Sequence, residues 1–204
     1  MAKVKIKKKK ISIDMTAMCD VAFLLLSFFI MTSTAKLPEP YPVDTPASTV
    51  QTKLPDSYLA TITVGEGRIF FGVTGKRVRK RMLEQMSEKY KLEFTPEEAD
   101  AFSLIDFFGV DINAMKKLIA LPNAERNAKG LQPGVPYDSV NNQLHDWILC
   151  ARLATKEINN EDLDIAIKGD KNLDYPMIKA VIDILQEQRK NNFFLVTNLR
   201  GEDF

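Results

Sequence analysis

The stretch MTAMCDVAFLLLSFFIMTSTA, residues 15–35, decides how this chain is organised. Its middle part, Val21 to Met31, is apolar except for Ser27. At a helical rise of about 1.5 Å per residue, a helix of this length covers roughly the 30 Å of a bilayer's hydrocarbon core. The pattern therefore predicts a membrane-spanning helix near the start of the chain.

Asp20 is the only carboxylate in residues 15–35. A charged side chain in the hydrocarbon core costs at least about 2.5 kcal/mol, so it usually has a function, and proton relays are among the commonest. The alternative interpretation is that Asp20 lies close enough to the start of the helix to be solvated and has no such role.

Three hydroxyl-bearing residues share the helix face of Asp20. Thr16, Asp20, Ser27 and Thr34 are separated by four, seven and seven residues. At about 100° per residue, all four fall within roughly 40° of one another. A narrow polar stripe on an apolar helix indicates contact with protein or water instead of lipid. We therefore predict that Asp20 carries a proton and that Thr16, Ser27 and Thr34 line its path.

Lysines are concentrated before the apolar stretch, and only Lys36 follows it closely. By the positive-inside rule, residues 1–14 form a cytoplasmic basic tail and residues 36–204 lie across the membrane. A cleaved secretory signal peptide fits these features about equally well, because Ser33-Thr34-Ala35 is typical of a small-residue cleavage site. In that case the remainder would be a free periplasmic binding module.

Composition argues against several classes of function. Beyond residue 35 the chain has slightly more acidic than basic residues, so a nucleic-acid partner is not expected. His145 is the only histidine, and Cys19 and Cys150 are far apart, so the spacing of a zinc site or of a Cys/His nucleophile pair is absent. We expect no metal, no cofactor and no enzymatic activity.

The remaining chain divides into a linker and a distal domain. Residues 36–55 hold five of the ten prolines and predict an extended periplasmic linker with a reach of about 3 Å per residue. Residues 56–204 have the pattern of a globular domain that begins with a β-hairpin, Tyr58–Val64 and Arg68–Val73, joined at Gly65-Glu66-Gly67.

A series of helices and two further strands is predicted after the hairpin. The helices are expected over 76–91, 95–109, 111–121, 138–156 and 176–190, and the strands over 163–168 and 193–197. Thr95-Pro96-Glu97-Glu98 is a strong helix start, with a cap, a proline in the first turn and a capping-box glutamate. The last strand, helix and strand form a β-α-β unit.

The membrane segment carries a family resemblance. Residues 13–21, Ile-Asp-Met-Thr-Ala-Met-Cys-Asp-Val, resemble the ExbD/TolR signature Ile-Asn-Val-Thr-Pro, two residues, Asp-Val. Thr16 and Asp20-Val21 match the signature, whereas Asp14 replaces the Asn and Ala17 replaces the Pro.

A second resemblance to the same family lies near the end of the chain. The segments 165–170, 173–175, 181–183 and 195–197 are similar to the family's "Ala-Asp … Val-x-Tyr … Val-x-Asp … Leu-Val-Thr" region, with Gly169 in place of the common Ala. The resemblance covers residues 11–35, roughly 57–92 and 138–198. Residues 95–135 look like an added helical insertion.

The resemblance implies an α+β fold, in which a transmembrane helix and a linker precede a sheet with helices on one side. It implies a single-pass protein of the bacterial inner membrane that couples proton motive force to outer-membrane active transport. The expected partners are a pentameric subunit similar to ExbB, TolQ or MotA, a second copy of this chain, and a TonB- or TolA-like protein. The alternative is a TolR-like or motility-type stator for envelope integrity or gliding that contacts peptidoglycan.

Overall fold

The structure is a computed structural model that describes residues 15–33, 43–48, 53–128, 130–138, 141–171, 173 and 175–199. The chain divides into two compact units, Met1–Leu37 and Pro38–Phe204. The first unit contains helix α1, Met15–Thr32. Among the described residues, α1 is the one helix long and apolar enough to span a membrane. The prediction had extended it to Ala35, and residues 34–35 lie outside the described part of the chain.

The second unit is built on a five-stranded sheet and a two-stranded one. Their strands are β1 Ala47–Ser48, β2 Leu59–Gly65, β3 Arg68–Val73, β4 Phe107–Phe108, β5 Asp164–Gly169, β6 Phe194–Val196 and β7 Asn198–Leu199. The larger sheet has the order β4-β3-β2-β5-β6, in which β2 pairs antiparallel with β3, and β5 lies parallel between β2 and β6. β1 and β7 pair parallel with each other.

Six helices accompany the sheet in the described part of this unit. They are α2 Lys76–Tyr90, α3 Pro96–Ser103, α4 Met115–Ala120, α5 Asn123–Arg126, α6 Gln143–Asn159 and α7 Tyr175–Glu187. α3 begins with the predicted capping box, in which the Glu98 N–H donates to Thr95 Oγ1 at 3.2 Å and the Thr95 N–H donates to Glu98 Oε2 at 2.8 Å. The hairpin and the terminal β-α-β unit, β5-α7-β6, are likewise confirmed.

One face of the sheet and the helices share a single apolar core. Alternate strand residues such as Ile62, Phe71 and Ile165 face this core because side chains alternate between the two faces of a strand. At its centre the Trp147 ring stacks on Phe102, with ring centroids 6.1 Å apart. The α+β class, with helices on one side of the sheet, is therefore confirmed.

The helix predicted over residues 95–109 is wrong in its second half. α3 ends at Ser103, and residues 107–108 form β4 on the edge of β3. The side chain of Phe107 lies against Gly72 of β3, where any Cβ would collide with the ring. Because glycine leaves room for the aromatic ring, the segment pairs as a strand, and a purely helical insertion is not what the structure shows.

Three other predicted helices have different bounds in the structure. The helix predicted from Asp138 begins at Gln143, where the Asn142 side chain caps it by accepting from the His145 N–H. The helix predicted from Asp111 is a 3₁₀ turn, Ile112–Ala114, followed by α4. The last helix ends at Glu187 instead of Lys190.

Part of the predicted linker is bound to the distal domain. The Lys171 N–H donates to the Asp44 carbonyl at 2.8 Å, and Thr45 is only 7% exposed. β1 continues this contact by pairing Ala47 with Asn198. Residues 44–48 are therefore extended, as a proline-rich segment should be, but they do not act as a free tether.

Candidate proton-transfer site in the membrane helix

Asp20 lies in the second turn of α1, about 7.5 Å along the axis from Met15. Between Met15 and Thr32 the chain buries no side chain against itself. The side chains of α1 are therefore at least partly exposed and can contact lipid or another protein. A helix whose only carboxylate is placed on such a surface needs a protein or water partner at that height.

The helix brings two of the three predicted lining residues onto the face of Asp20. Thr16 lies one turn before Asp20, about 6 Å along the axis, and Ser27 lies about 10 Å beyond it. Thr34, the third, lies outside the described residues. Since 10 Å exceeds any hydrogen bond, Asp20 and Ser27 cannot exchange a proton directly. A path that includes both must be completed by water or by groups of another chain.

The hydroxyl of Ser27 is already used as a donor inside the helix. It lies 2.9 Å from the Phe23 carbonyl and 3.0 Å from the Leu24 carbonyl. Its oxygen keeps lone pairs and can still accept a hydrogen bond from water or from a protonated group. Ser27 is therefore equipped as an acceptor along the stripe, and donation from it would require its present bonds to break.

Thr32 makes the same kind of hydroxyl-to-carbonyl hydrogen bond on a different face of α1. Its hydroxyl donates to the Phe28 carbonyl at 2.9 Å, and five residues of helix place it about 140° from Ser27. The sequence analysis did not single out Thr32. Its hydrogen bond could have been expected from the tendency of Ser and Thr hydroxyls in helices to donate to the carbonyl one turn back. Ser27 alone is consequently weak support for a polar path, and Asp20 remains the residue that defines the site.

At least two of the five basic residues at the start of α2 make structural contacts. The five are Lys76, Arg77, Arg79, Lys80 and Arg81. Arg79 is 5% exposed, and its guanidinium binds the Asp106 carboxylate at 2.6 Å and the Ser103 carbonyl at 2.8 Å. Lys80 pairs with Asp100 at 2.5 Å, and this hydrogen bond raises the pKa of the lysine. These contacts join α2 to α3 and to the segment before β4.

The only histidine belongs to a polar contact between α2 and α6. Asp146 accepts hydrogen bonds from Lys89 Nζ at 2.5 Å and from the Tyr90 hydroxyl at 2.8 Å, and it lies 3.1 Å from His145 Nδ1. Burial alone would raise the pKa of Asp146, but the bonds from Lys89, His145 and Tyr90 outweigh burial and lower it. Asp146 therefore holds the two helices together as a carboxylate.

The distal domain offers little for nucleophilic or metal chemistry in the residues described. Burial raises the pKa of the Cys150 thiol to about 11, so this cysteine stays protonated and unreactive at neutral pH. No group of three or more His, Cys, Asp or Glu side chains that could hold a metal ion occurs among them. One cavity of the described residues, of about 290 Å³, is bordered by Tyr58, Lys76 and Arg77, and neither a carboxylate nor a histidine is among its lining residues.

Comparison with known proteins gives one family match. The family described as biopolymer transport protein ExbD/TolR matches residues 7–199, which include α1 and nearly all of the distal domain. No individual curated protein and no solved structure matches the chain.

Proposed function

The chain belongs to the ExbD/TolR family of biopolymer transport proteins, and we propose that it is the proton-carrying subunit of an inner-membrane complex of the ExbB-ExbD-TonB type. The single observation that carries this proposal is Asp20, the one carboxylate of α1, on a helix that buries nothing against its own chain. In a membrane, the free energy of such a helix is lowest when Asp20 contacts other subunits and is kept away from lipid.

The chemistry required of Asp20 is to bind a proton on one side of the membrane and release it toward the other. A carboxyl group can do this because its protonated form is neutral and its ionised form can be stabilised by hydroxyls and water. Thr16, one turn away, is close enough to contribute. Ser27 is placed to accept a hydrogen bond from water farther along the same face. Protonation would then change which partner surface the face of Asp20 can occupy.

The proposed assembly is the one that resemblance to the ExbD/TolR family implies, and the exposed side chains of α1 are compatible with it. Two copies of this chain would place their helices inside a pentameric ring of ExbB-, TolQ- or MotA-like subunits. The lysine-rich residues 1–14 would lie in the cytoplasm and the distal domain in the periplasm. There the distal domain would act on a TonB- or TolA-like protein and transmit the proton-driven motion to outer-membrane active transport.

A second candidate is favoured by the family description itself, which includes TolR as well as ExbD. In that case the complex would be a TolR-like or motility-type stator, and the distal domain would contact peptidoglycan. A deletion strain separates the two. Loss of proton-driven uptake supports the first function, whereas leakage of the envelope or loss of gliding with normal uptake supports the second.

Retention of α1 is required by both functions and would exclude the third possibility, a secreted periplasmic module. Processing after Ala35 would remove Asp20 together with the whole membrane helix. The intact mass of the membrane-extracted protein decides this directly. We expect the mass of the full chain, and a mass that lacks residues 1–35 would overturn both transducer functions.

We also propose that the protein acts without enzymatic chemistry of its own. The support is the inert Cys150 thiol and the engagement of Asp146 with Lys89 and Tyr90. Assays of the purified complex should show proton-dependent work without turnover of a small-molecule substrate.

A further inference from the structure

Residues 95–135, the predicted insertion, pair with one edge of β3. β4 pairs with β3 through Phe108 opposite Phe71 and Phe107 opposite Gly72. Beyond the end of β4, the Val135 N–H donates to the Ile69 carbonyl of β3 at 2.8 Å. Two parts of the insertion, β4 and Val135, therefore lie along the edge of β3.

A buried glutamine fixes the last part of the insertion in place. Gln132 is 4% exposed, and its Oε1 accepts from the Gly109 N–H at 2.6 Å while its Nε2 donates to the Arg126 carbonyl at 2.9 Å. The Gly134 N–H donates to the Gly109 carbonyl at 2.7 Å. Both backbone polar groups of Gly109, just past β4, are thus bonded within the insertion and cannot pair with a strand from elsewhere.

Side-chain packing keeps this edge in register. The Phe70 ring of β3 covers Gly109, and the Phe107 ring covers Gly72, at positions where any Cβ would collide with the rings. β3 supplies Phe70 and Gly72, and β4 with the residue after it supplies Phe107 and Gly109. A slip of one residue would place a ring on the wrong face of the sheet, and a slip of two would separate each ring from its glycine, so these contacts favour the observed register.

The opposite edge of the sheet is formed by β6. Among the described residues, β6 pairs with β5 alone, and its Leu195 is 61% exposed. An exposed edge strand offers unpaired N–H and C=O groups to any other strand. A sheet with two open edges would let copies pair head to tail, and such a contact extends into a filament unless its rotation closes a ring.

We propose that the insertion is an edge cap that prevents strand pairing between copies of this chain at the β3 side and leaves β6 as the single open edge. The cap consists of β4 and residues 132–135. Its function is to keep domains that are crowded on a membrane from polymerising through their sheets. This inference does not depend on proton transfer at Asp20.

The test uses the full-length protein in detergent and the variant Gln132→Leu, which keeps the side-chain bulk and removes its hydrogen bonds. The matched control is Gln143→Leu, because Gln143 is 2% exposed and likewise accepts from a backbone amide, that of Ile112 at 2.9 Å, away from the edge. Sedimentation velocity over a ten-fold range of protein concentration measures association. Amide hydrogen exchange measures protection at Gly109, Gly134 and Val135.

We expect Gln132→Leu to lose at least ten-fold protection at these amides and to form larger species as its concentration rises. Wild type and Gln143→Leu should keep one size. Adding Leu195→Lys to Gln132→Leu should restore that size, because a charge on β6 blocks the complementary edge. Val135→Pro, which removes the N–H bonded to Ile69, provides a second way to open the cap. If both cap variants sediment like Gln143→Leu at every concentration, the proposal is wrong.

Discussion

The membrane helix and the distal domain use their apolar residues in opposite ways. α1 leaves large side chains such as Phe23 and Leu26 more than half exposed, at 70% and 57%. The distal domain buries Trp147, Phe71 and Leu144 completely. Contacts within the chain explain the sequence of the domain, whereas the exposed apolar side chains of α1 fit the proposed surroundings of lipid and partner subunits. Substitutions in the domain should therefore change stability, and substitutions in α1 should change function without changing the fold.

The largest stability effect is expected for Trp147→Ala. The ring is fully buried and lies 4.7 Å from Phe108 and 6.1 Å from Phe102 between ring centroids. Removing a buried aromatic of this size costs about 3–5 kcal/mol. Chemical denaturation followed by circular dichroism measures the loss. Leu153→Ala on the same helix, where the side chain is 52% exposed, is the control and should change the free energy of unfolding far less.

A pH-dependent effect is expected for Asp146→Asn. The pKa of Asp146 is lowered in the folded domain, so this carboxylate stabilises the fold above its unfolded pKa of about 3.9. That contribution disappears as the pH falls through the lower folded value. The variant should be less stable than wild type at pH 7, and the difference should shrink toward pH 2. Asp162→Asn, whose carboxylate is 84% exposed, should show no comparable trend. A difference that is constant from pH 7 to pH 2 would contradict the assigned role.

A smaller loss is expected for Thr95→Ala at the start of α3. The substitution removes the hydroxyl that accepts from the Glu98 N–H, and loss of such a cap costs about 1 kcal/mol. Thr95→Ser keeps the acceptor and should retain most of the stability. Equal losses in the two variants would show that the methyl group of Thr95, and not the cap, accounts for the effect.

The smallest effect is expected for Ser27→Ala in α1. The hydroxyl donates to carbonyls of its own helix, and water can replace it as an acceptor in a hydrated path. Proton flux should fall by less than about ten-fold, the equivalent of roughly one hydrogen bond. Helicity and assembly should not change. A complete block of flux would mean that Ser27 is an obligatory relay group.

Local patterns predicted the parts of the fold that depend on neighbouring residues. The hairpin at Glu66-Gly67, the capping box at Thr95 and the apolar run of α1 follow from turn chemistry, capping and hydrophobicity within a few residues. β4 was missed because it exists through Gly72, a residue far away in the chain, which leaves room for Phe107. The hydrogen bond from Lys171 to Asp44 was missed because these two residues are also far apart in the chain.

The candidate site likewise has features that the sequence predicts and features that it does not. The position of Asp20 on one face with Thr16 and Ser27 follows from helix periodicity, which the sequence contains in full. The internal hydrogen bonds of Ser27 depend on its rotamer and could only be anticipated as a tendency. The proposed path would be completed by water or by groups of other chains, and neither periodicity nor the structure of one chain includes these.

Proton flux through vesicles that contain the assembled complex tests the central claim most directly, with wild type compared with Asp20→Asn. Asparagine resembles the neutral acid in size and polarity but cannot bind and release a proton at physiological pH. The variant should reach the membrane and co-purify with the ring subunits, and its gradient-driven flux should fall to the level of empty vesicles. Asp14→Asn, which removes the same charge before α1, should retain most of the flux. Wild-type flux in an assembled Asp20→Asn complex would show that Asp20 is a solvated residue near the helix start and that the proton takes another route.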